Sequence, residues 1–591
     1  MRYFVLASDY DGTLATDGRV SEGTLAALRK VRESGRKLVL VTGREMPDLK
    51  KVLPELDLFE LIVAENGALL YNPATKEERS LGDRPPSEFV PELRRRGVDD
   101  ISEGRVIVAT WEPHEVVVFE TIRDLGLELQ VIFNKGAVMV LPSGVNKATG
   151  LCAALAELGL SPHNAVGIGD AENDHAFLSL CECSVAVANA LDITKEYADF
   201  VTAAARGEGV SELAEKLVAS DLREISLRRP DIEWGKGRDD EMVTAAPYGE
   251  NILVAGTSGG GKSTLATGFL ERLAEAGYQF CIIDPEGDYN ELDDVVVLGD
   301  ARRAPSPEAV LDVLENPEND VVVNMLGVAL EHRPAFFEGL FARLQEMRNR
   351  VGRPHWLLID EAHHLFPAER NTPGLLDNVG GLMFLTVHPD HVSPIALKLV
   401  DVAIAIGQKP EKTLATFAKA VGVSFPKMQS FELEPGDGVL WRRGAAGGKL
   451  AKATAATTAD GKARKKRTGK SQAPIWFRST PPKAERRRHH RKYMEGELEP
   501  EISFYFTGPE QKLNLRAQNL QIFLQIADGL DDNTWLYHLQ RGDYSRWLAQ
   551  ALKDGDLSKE VARIEQDEKL DAKASRARIR EKIEARYTAP E

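Results

Sequence analysis

The chain has 591 residues, of which 43% are hydrophobic and 28% are charged, and its formal net charge is −17. This length is too great for one hydrophobic core and predicts three or four domains, while the acidic balance argues against a protein that coats nucleic acid with its whole surface. No apolar run approaches the roughly 18 residues of a membrane-spanning helix, and Met1–Leu6 leads directly into a motif, so we expect neither a membrane span nor a signal peptide. Four cysteines without disulfide or zinc spacing fit a reducing cytoplasm.

Residues 1–219 alternate apolar strands with helical stretches, and the strands end in polar residues. This alternation predicts an α/β domain with a doubly wound parallel sheet. Because open α/β sheets bind ligands at the carboxyl ends of their strands, the strand ends are candidate sites. The polar segments that follow the strands are Asp9-Tyr10-Asp11-Gly12-Thr13, Thr42-Gly43-Arg44, Glu65-Asn66-Gly67 and Gly169-Asp170-Ala171-Glu172-Asn173-Asp174.

Four segments in this order resemble the four motifs of haloacid-dehalogenase-type phosphatases. They are Asp9-x-Asp11-Gly12-Thr13, Thr42 in Val-Thr-Gly-Arg, Lys147 in Gly-Val-Asn-Lys, and Asp170 with Asp174 in Gly-Asp-x-x-Asn-Asp. The segments Ala64–Ala68 and Val185–Ala190 are similar to the Cof-type branch, which includes sugar phosphatases and archaeal phosphoglycolate phosphatases. The resemblance covers about 215 residues.

The resemblance implies a role for each motif residue. Asp9 would attack phosphorus and form an aspartyl-phosphate, and Asp11 would protonate the leaving group and then activate water. Asp9, Asp170 and the backbone carbonyl of Asp11 would hold Mg²⁺, with Asp174 in support. Thr42 and Lys147 would donate to the transferring oxygens. Any one of these residues alone would be an ordinary cap or turn residue, so the interpretation depends on the whole set.

Between Tyr71 and Met139 we expect a cap domain that closes over this site, excludes water and selects the substrate. Strand-like and helical stretches alternate here, and Val116–Phe119 is predicted as one of the strands. The small size of the cap favours a compact substrate of the phosphoglycolate kind. Trp111 and His114 either contact the substrate or pack within the cap, and packing is the commoner role of a cap tryptophan.

Residues 220–249 are charged and punctuated by Pro and Gly, which predicts a linker or, equally, an irregular edge of the next domain. Residues 250–444 then begin with a strand that runs into a phosphate loop. Gly256, Gly261, Lys262 and Ser263 fill every fixed position of G-x-x-x-x-G-K-[ST] in the required strand-loop-helix context.

Backbone N–H groups of this loop and the following helix N-terminus form an anion cradle, Lys262 reaches the β- and γ-phosphates, and Ser263 holds Mg²⁺. The alternative, a glycine-rich turn that binds nothing, fits the full motif poorly. The residues expected around the nucleotide are Gly256, Thr257, Ser258, Gly259, Gly260, Gly261, Lys262, Ser263 and Thr264.

Later strands of this region also end in polar residues. Asp284 follows one strand, Asp360 and Glu361 follow another, and His388 follows a third. Asp360 suits the Mg²⁺ shell and Glu361 suits the polarisation of an attacking water. Together with Asp284–Tyr289, Asp360–His363 and Glu434–Leu440, the phosphate loop resembles the HerA-like branch of the HerA/FtsK ATPases over nearly 190 residues, which implies a RecA-like core.

Two departures from that family limit what the resemblance implies about DNA translocation. His388 stands where the family has a Gln, and the phosphatase-like region stands where the family has a β-barrel. We take His388 as a candidate γ-phosphate sensor, with a structural strand-end histidine as the alternative. Family membership would also imply a ring, commonly a hexamer, with an arginine finger from a neighbouring subunit; the candidates are Arg343, Arg348, Arg350 and Arg370.

Residues 445–500 are predicted to be a flexible linker. Its segment 461–492 carries 13 Lys or Arg and one acid, Glu485. This basic stretch would bind DNA or RNA phosphates, with Trp476 and Phe477 stacking on bases. The alternative is a basic linker that is solvated or that contacts acidic faces of the same ring. Residues 501–591 predict a small, mostly helical adaptor domain in which Trp535, Tyr544 and Trp547 belong to a core.

The sequence therefore predicts a cytoplasmic, Mg²⁺-dependent phosphatase joined to an ATP-hydrolysing ring motor that acts on nucleic acid. The alternative is a phosphatase for a metabolite, phosphoglycolate or a sugar phosphate, on a nucleotide-gated oligomeric scaffold with no nucleic-acid role.

Overall fold

A computed structural model describes residues 1–134, 136–257, 260–290, 292–369, 379–426, 428, 432–443, 473–483, 494, 503–509, 512–550, 555–567 and 569–587. The chain forms two compact units, a larger one of residues 1–290 and 294–480 and a smaller one of residues 291–293 and 481–591. Two α/β domains, here called the N-terminal and the central domain, make up the larger unit. Within the described ranges no helix combines the length and the apolar character needed to cross a membrane.

The N-terminal domain is built from eight strands in one sheet, four strands in a second sheet, and eight helices. Its elements are β1 (Val5–Ser8), α1 (Glu22–Glu33), β2 (Lys37–Val41), α2 (Met46–Val52), β3 (Leu61–Ala64), β4 (Leu69–Tyr71), β5 (Glu78–Ser80), α3 (Phe89–Arg95), β6 (Ser102–Glu103), β7 (Val108–Trp111), α4 (Glu115–Asp124), β8 (Leu129–Asn134), β9 (Ala137–Pro142), α5 (Lys147–Glu157), β10 (Ala165–Gly169), α6 (His175–Leu180), β11 (Cys183–Ala186), α7 (Asp192–Tyr197), β12 (Phe200–Val201) and α8 (Arg206–Ser220).

The main sheet has the strand order β12-β11-β10-β1-β2-β3-β4-β5. The pairings from β12 to β3 are parallel, and β4 and β5 join antiparallel at one edge. All four residues of β1 are buried, as expected for a central strand covered on both faces. This arrangement is the doubly wound parallel sheet predicted from the alternation of strands and helices, and it puts the ends of β1, β2 and β10 side by side.

The cap is a four-stranded antiparallel sheet of order β6-β7-β9-β8 with α3 and α4 on one face. One difference from the sequence prediction concerns Val116–Phe119, which lies in helix α4 and not in a strand. The β-branched residues suggested a strand, but Val118, Thr121 and Ile122 recur at helical spacing and are buried against the cap sheet. Burial on the sheet thus overrides the local preference of the valines.

The central domain contains an 11-stranded sheet of order β14-β13-β23-β22-β21-β15-β20-β19-β16-β18-β17. The seven strands from β21 to β17 are parallel, and the other four are antiparallel. The elements are β13 (Ile232–Lys236), β14 (Met242–Ala245), β15 (Ile252–Gly256), α9 (Lys262–Glu275), β16 (Phe280–Asp284), β17 (Val295–Leu298), α10 (Pro307–Leu314), β18 (Asp320–Asn324), α11 (Arg333–Val351), β19 (Trp356–Ile359), α12 (Ala362–Leu365), β20 (Leu382–Thr386), α13 (Pro394–Lys398), β21 (Val402–Ile406), α14 (Pro410–Val421), β22 (Asp437–Arg442) and β23 (Ile475–Ser479).

Two regions predicted as linkers contribute strands to this sheet. Residues 220–249 supply β13 and β14, so the alternative of a domain edge describes them better than a linker does. Residues 445–500 supply β23, which pairs with β22 and β13. Phe477 of β23 is fully buried and therefore does not stack on bases as predicted. Of the basic stretch 461–492, the structure describes residues 473–483.

The C-terminal unit is mostly helical. Its elements are β24 (Phe504–Phe506), β25 (Leu515–Ala517), α15 (Leu520–Gly529), α16 (Asp532–Gln540), α17 (Asp543–Gln550), α18 (Gly555–Glu565) and α19 (Ala572–Tyr587). The predicted core aromatics Trp535, Tyr544 and Trp547 are buried in one cluster.

Candidate active sites

Three carboxylates and one ammonium converge at the ends of β1 and β10. Lys147 Nζ lies 2.6 Å from Asp9 Oδ1 and 2.6 Å from Asp174 Oδ1. Asp9, Asp170 and Asp174 each place a carboxylate oxygen within 4.8 Å of the others, and all three residues are buried. The structure thus brings together four of the residues that the sequence motifs singled out.

The backbone around this cluster explains its geometry. Asp9 directly follows β1, and Asp170 directly follows the adjacent parallel strand β10. Asp174 Oδ2 accepts hydrogen bonds of 2.8 and 2.9 Å from the N–H groups of Asp170 and Ala171, which fixes the loop after β10. Lys147 is the first residue of α5, whose N-cap Asn146 accepts from the N–H groups of Ala148 and Thr149.

Electrostatics in the cluster are set by burial. Burial and the neighbouring Asp174 raise the pKa of the Asp9 carboxyl to about 7, although Lys147 opposes the shift. Burial also lowers the pKa of the Lys147 ammonium, but Asp174 and Asp9 outweigh this effect and hold that pKa above its usual range. Lys147 is therefore a permanent positive charge between two carboxylates.

Asp11 is held by a residue that the sequence analysis quoted but did not assign. Arg44 donates from Nε to Asp11 Oδ2 at 2.7 Å and from Nη2 to Asp11 Oδ1 at 2.8 Å. Such a two-point guanidinium contact fixes the plane of the carboxylate. Arg44 also pairs with Asp48, one turn along α2.

Thr42 lies at the end of β2 and is fully buried. Its Oγ1 accepts from the N–H of Arg44 at 3.1 Å, and its carbonyl accepts from the N–H of Asn66 at 3.0 Å. Asn173 Nδ2 in turn donates to Asn66 Oδ1 at 3.0 Å. Thr42 therefore belongs to a connected polar frame at the same edge of the sheet as Asp9.

Glu65 attaches the cap to the main sheet. Its fully buried carboxylate accepts from the N–H groups of Arg105, Val106 and Ile107, at 2.8, 2.8 and 3.0 Å. Trp111 of the cap has a relative exposure of 52%, so its side chain is not packed in the cap core as predicted. His114 stands at the N-terminus of α4.

The phosphate loop joins β15 to α9. Gly256 ends β15, and a Cβ at this position would lie 2.4 Å from the Ile406 carbonyl, which is why the neighbouring strand β21 demands glycine here. Lys262 begins α9, is buried, and places Nζ 3.5 Å from the carbonyls of Gly256 and Thr257. Gly260, Gly261, Ser263 and Thr264 continue the loop into the helix, whereas Ser258 and Gly259 lie outside the described residues.

Asp360 and Glu361 follow β19. Burial raises the pKa of the Asp360 carboxyl to about 7. Glu361 has a left-handed backbone with φ of 40°, a conformation that costs energy for a residue with a side chain and is enriched at functional sites. Burial raises the pKa of the Glu361 carboxyl, and Lys262 opposes the shift.

His363 lies beside Glu361, and the rings of His388 and His391 follow it. His363 Nδ1 is 3.1 Å from Thr386 Oγ1 and 3.2 Å from Glu361 Oε2. The ring of His388 stands perpendicular to that of His363 at 5.9 Å and lies 4.8 Å from that of His391. His388 follows β20, which pairs with the phosphate-loop strand β15.

Other predicted residues have structural partners. Asp284 accepts from the N–H groups of Glu286, Gly287 and Tyr289 and thereby shapes the loop after β16. Among the finger candidates, Arg348 donates to the carbonyls of His355 and Gly380, while Arg343 and Arg350 pair with Glu308 and Glu315. Arg370 lies outside the described residues.

Comparisons with known proteins agree with the N-terminal geometry. Residues 6–86 and 115–213 match the family of haloacid dehalogenase-like hydrolases. A phosphoglycolate phosphatase from Haloarcula marismortui is 34% identical over 215 residues, which make up 35% of this chain and 94% of that protein. The chain belongs to the haloacid dehalogenase-like hydrolases. We therefore call the N-terminal domain the hydrolase domain.

Two further similarities concern the hydrolase domain. A phosphoglycolate phosphatase from Methanothermobacter thermautotrophicus is 31% identical over 222 residues, 36% of this chain and 98% of that protein. A solved haloacid dehalogenase-like hydrolase from Bacteroides thetaiotaomicron is 21% identical, with a TM-score of 0.33, and covers 36% of this chain and 100% of its own.

In the central domain, residues 249–333 match the central domain of the helicase HerA. Both family resemblances found in the sequence are thus confirmed.

The sequence analysis did not assign Arg44, Glu65 or Asn173 to the hydrolase site. All three lie inside the quoted motifs, so the signal was present, but only the folded contacts give each side chain its partner.

Proposed function

We propose that the hydrolase domain cleaves a phosphate monoester through an aspartyl-phosphate on Asp9. The observation that carries this proposal is the buried bridge of Lys147 between Asp9 and Asp174 at the carboxyl edge of the sheet. The ammonium of Lys147 opposes the rise in the pKa of Asp9 and so favours the ionised carboxylate, which is the form that attacks phosphorus.

In the first step an oxygen of Asp9 bonds to phosphorus while the bond from phosphorus to the leaving oxygen breaks. Asp11 gives its proton to the leaving alkoxide. The Asp11 carboxylate then takes a proton from a water that attacks phosphorus, and the bond from phosphorus to Asp9 breaks to release phosphate. In the structure Arg44 occupies both oxygens of the Asp11 carboxylate, so Asp11 would leave this contact to carry the proton.

The carboxylate cluster suits a hard divalent cation, since its three buried acids offer oxygen ligands within 4.8 Å of one another. Asp9, Asp170 and the Asp11 carbonyl would hold Mg²⁺. Bound Mg²⁺ supplies charge neutralisation at the phosphoryl oxygens. Asp174 uses both oxygens for Lys147 and backbone N–H groups, which favours a supporting role for it.

We propose a small phosphorylated acid of the phosphoglycolate kind as the substrate. Relatives that bear the name phosphoglycolate phosphatase align over 94% and 98% of their length with this domain. The cap sheet and its two helices form a compact lid, which fits a small leaving group.

We propose that the central domain hydrolyses ATP. Gly256–Thr264 would surround the phosphates, Ser263 and Asp360 would hold Mg²⁺, Glu361 would polarise water, and His388 would sense the γ-phosphate. Buried Lys262 at the start of α9 and the strained backbone of Glu361 support this assignment. A homo-oligomeric ring, hexameric in the related motors, would complete each site with an arginine from a neighbour.

A nucleic-acid role is the second candidate, favoured by the match to the HerA central domain. In the described part of the basic stretch, Arg478 pairs with Asp437 and Glu434, and these ion pairs compete with contacts to nucleic-acid phosphates. Binding of DNA or RNA that weakens as salt is added would favour this role. On duplex DNA the logarithm of the binding constant should fall with the logarithm of the salt concentration, with a slope of about −0.9 for each neutralised phosphate. An ATPase rate indifferent to DNA and RNA would favour the metabolite phosphatase on a scaffold.

The proposed activity is tested by a screen of phosphoglycolate, sugar phosphates and 3′- and 5′-phosphorylated oligonucleotides, with and without ATP and Mg²⁺. We expect the highest kcat/KM for phosphoglycolate, a requirement for Mg²⁺, and no turnover by Asp9→Asn. A chain that hydrolyses none of these monoesters, or an Asp9→Asn variant as active as the wild type, would refute the assignment.

A further inference from the structure

The hydrolase and central domains meet at the ends of their sheets opposite the two candidate sites. The polar contacts join residues just after α5 and just before β10 and β11 in one domain to residues just after α9 and just before β16 and β19 in the other. One cluster of buried apolar side chains contains residues of both domains, including Leu155 and Leu160 of the first and Leu314 and Val351 of the second. We call this contact the junction.

The first polar anchor of the junction centres on Glu182, which is fully buried. Its carboxylate lies 2.7 Å from His163 Nδ1 and accepts from the hydroxyl of Tyr278, a central-domain residue, at 2.9 and 3.1 Å. Arg2 forms an ion pair with the same carboxylate. A buried carboxylate without partners would be strongly unfavourable, and the Tyr278 hydroxyl is a partner that the central domain supplies.

His163 extends the anchor. Its Nε2 lies 2.8 Å from the carbonyl of Ala276, which follows the phosphate-loop helix α9, and its ring stacks on Tyr278 with 3.7 Å between centroids. A carboxylate and a carbonyl both only accept, so both hydrogen bonds form together when the imidazole carries two protons. His163 stands two residues before β10, the strand that delivers Asp170.

The second anchor is Arg353, a buried central-domain residue. Its Nη2 donates to the carbonyl of Gly159 at 2.6 Å, and its Nη1 donates to Gln279 Oε1 and to the Leu314 carbonyl, each at 2.8 Å. Gly159 lies just beyond the C-terminus of α5, where a cation is favourable. The other end of α5 is Lys147, about 16 Å away along a rigid helix.

We infer that Tyr278 and Arg353 of the central domain are positioning residues for the hydrolase reaction. They hold the far ends of β10 and α5, and these two elements carry Asp170 and Lys147. The inference rests on the proposed phosphatase function and goes beyond it, because it makes the central domain part of the machinery of the hydrolase site. Small displacements of catalytic groups are costly, since a shift of about 1 Å can reduce turnover about a hundredfold.

The test uses the full chain and compares Tyr278→Phe, Arg353→Met and Arg353→Lys with the wild type. The matched control is Arg79→Met, because Arg79 pairs with exposed Glu157 at the same C-terminal end of α5. Hydrolysis of p-nitrophenyl phosphate and of ATP is measured, together with amide hydrogen exchange of the segment 147–157. For Tyr278→Phe and Arg353→Met we expect kcat for the monoester to fall about three- to tenfold at unchanged KM.

Three accompanying results are expected. ATP hydrolysis by Tyr278→Phe stays at the wild-type rate, Arg353→Lys recovers part of the lost kcat, and Arg353→Met speeds exchange in the first turn of α5. The control Arg79→Met changes none of these quantities. Wild-type kcat and wild-type exchange in folded Tyr278→Phe and Arg353→Met would overturn the inference. An equal loss of both activities in Tyr278→Phe would also overturn it, because that pattern marks general destabilisation.

The exchange measurement separates this inference from the proposed function. If the wild-type chain turned over no monoester, the proposed function would fail, and the exchange of α5 would still decide the positioning role. Faster exchange in Arg353→Met but not in Arg79→Met would support that role, and equal exchange would overturn it.

Discussion

Lys147 is the side chain on which the hydrolase site depends most for its charge balance. It is buried between Asp9 and Asp174, and removing a buried partner of this kind leaves uncompensated charge. We expect Lys147→Met to abolish monoester hydrolysis and to lower the free energy of unfolding by about 3–5 kcal/mol in EDTA at pH 8. Thermal unfolding and a phosphatase assay check both parts.

The effect should depend on pH with a definite sign. The pKa of Asp9 is raised in the folded chain from 3.8 to about 7, so its contribution to stability is present below the lower value and is lost as pH rises through the upper one. Lys147 opposes the rise in this pKa, so the loss grows when Lys147 is removed. The decrease in the free energy of unfolding caused by Lys147→Met should therefore be larger at pH 8 than at pH 5. The control is Lys50→Met, which removes an exposed cation 3.4 Å from Glu78. A decrease in the free energy of unfolding of Lys147→Met that is equal at both pH values would contradict the charge argument.

The position of α5 depends on a close approach to the loop after β3. Gly67 has φ of +105°, and a Cβ there would lie 1.9 Å from the Asn146 carbonyl and 2.9 Å from the Lys147 nitrogen. We expect Gly67→Ala to displace the start of α5 and to lower kcat for the monoester about a hundredfold, with ATP hydrolysis unchanged.

Gly97→Ala is the matched control for this prediction. Gly97 has a similar φ of +89°, but among the described residues no atom beyond its chain neighbours lies within 4 Å of the position that a Cβ would take. Both variants therefore carry the backbone strain of alanine in a left-handed conformation, and only Gly67→Ala carries the clash. Equal kcat values in the two variants would show that the close approach to Asn146 does not position Lys147.

How far the sequence predicted these elements depends on how local their signals are. The strand ends that carry Asp9, Thr42, Asp170 and Asp360 were predictable, because an apolar run followed by polar residues is a local pattern. Strand β23 was not predictable, since its pairing partners β13 and β22 are distant in sequence and its neighbourhood is basic and rich in Gly and Pro. The helix at Val116–Phe119 was predicted as a strand because its β-branched residues favour a strand locally. The helical spacing of its buried residues becomes meaningful only when they pack on the cap sheet.

Site residues follow the same division. The resemblance to haloacid-dehalogenase-type motifs implied that Asp9, Lys147, Asp170 and Asp174 act together, and the structure places them in one cluster. The partnership of Arg44 with Asp11 and the role of Glu65 in holding the cap depend on contacts between separate segments. The junction residues Tyr278 and Arg353 belong to no motif, so no pattern in the sequence identified them.

Taken as one molecule, the larger unit carries two candidate phosphoryl sites on two sheets joined at their opposite ends. The site at Asp9 and the site at Lys262 share no described side chain, and the junction connects the elements that carry them. This arrangement predicts two separate reactions on one chain, each of which survives the loss of the other's central residue.

The most direct test measures monoester hydrolysis and ATP hydrolysis in the same preparations of wild type, Asp9→Asn and Lys262→Ala. We predict that Asp9→Asn loses monoester hydrolysis and keeps ATP hydrolysis, and that Lys262→Ala loses ATP hydrolysis and keeps monoester hydrolysis. Monoester hydrolysis that persists in Asp9→Asn, or the loss of both activities in either folded variant, would contradict the account.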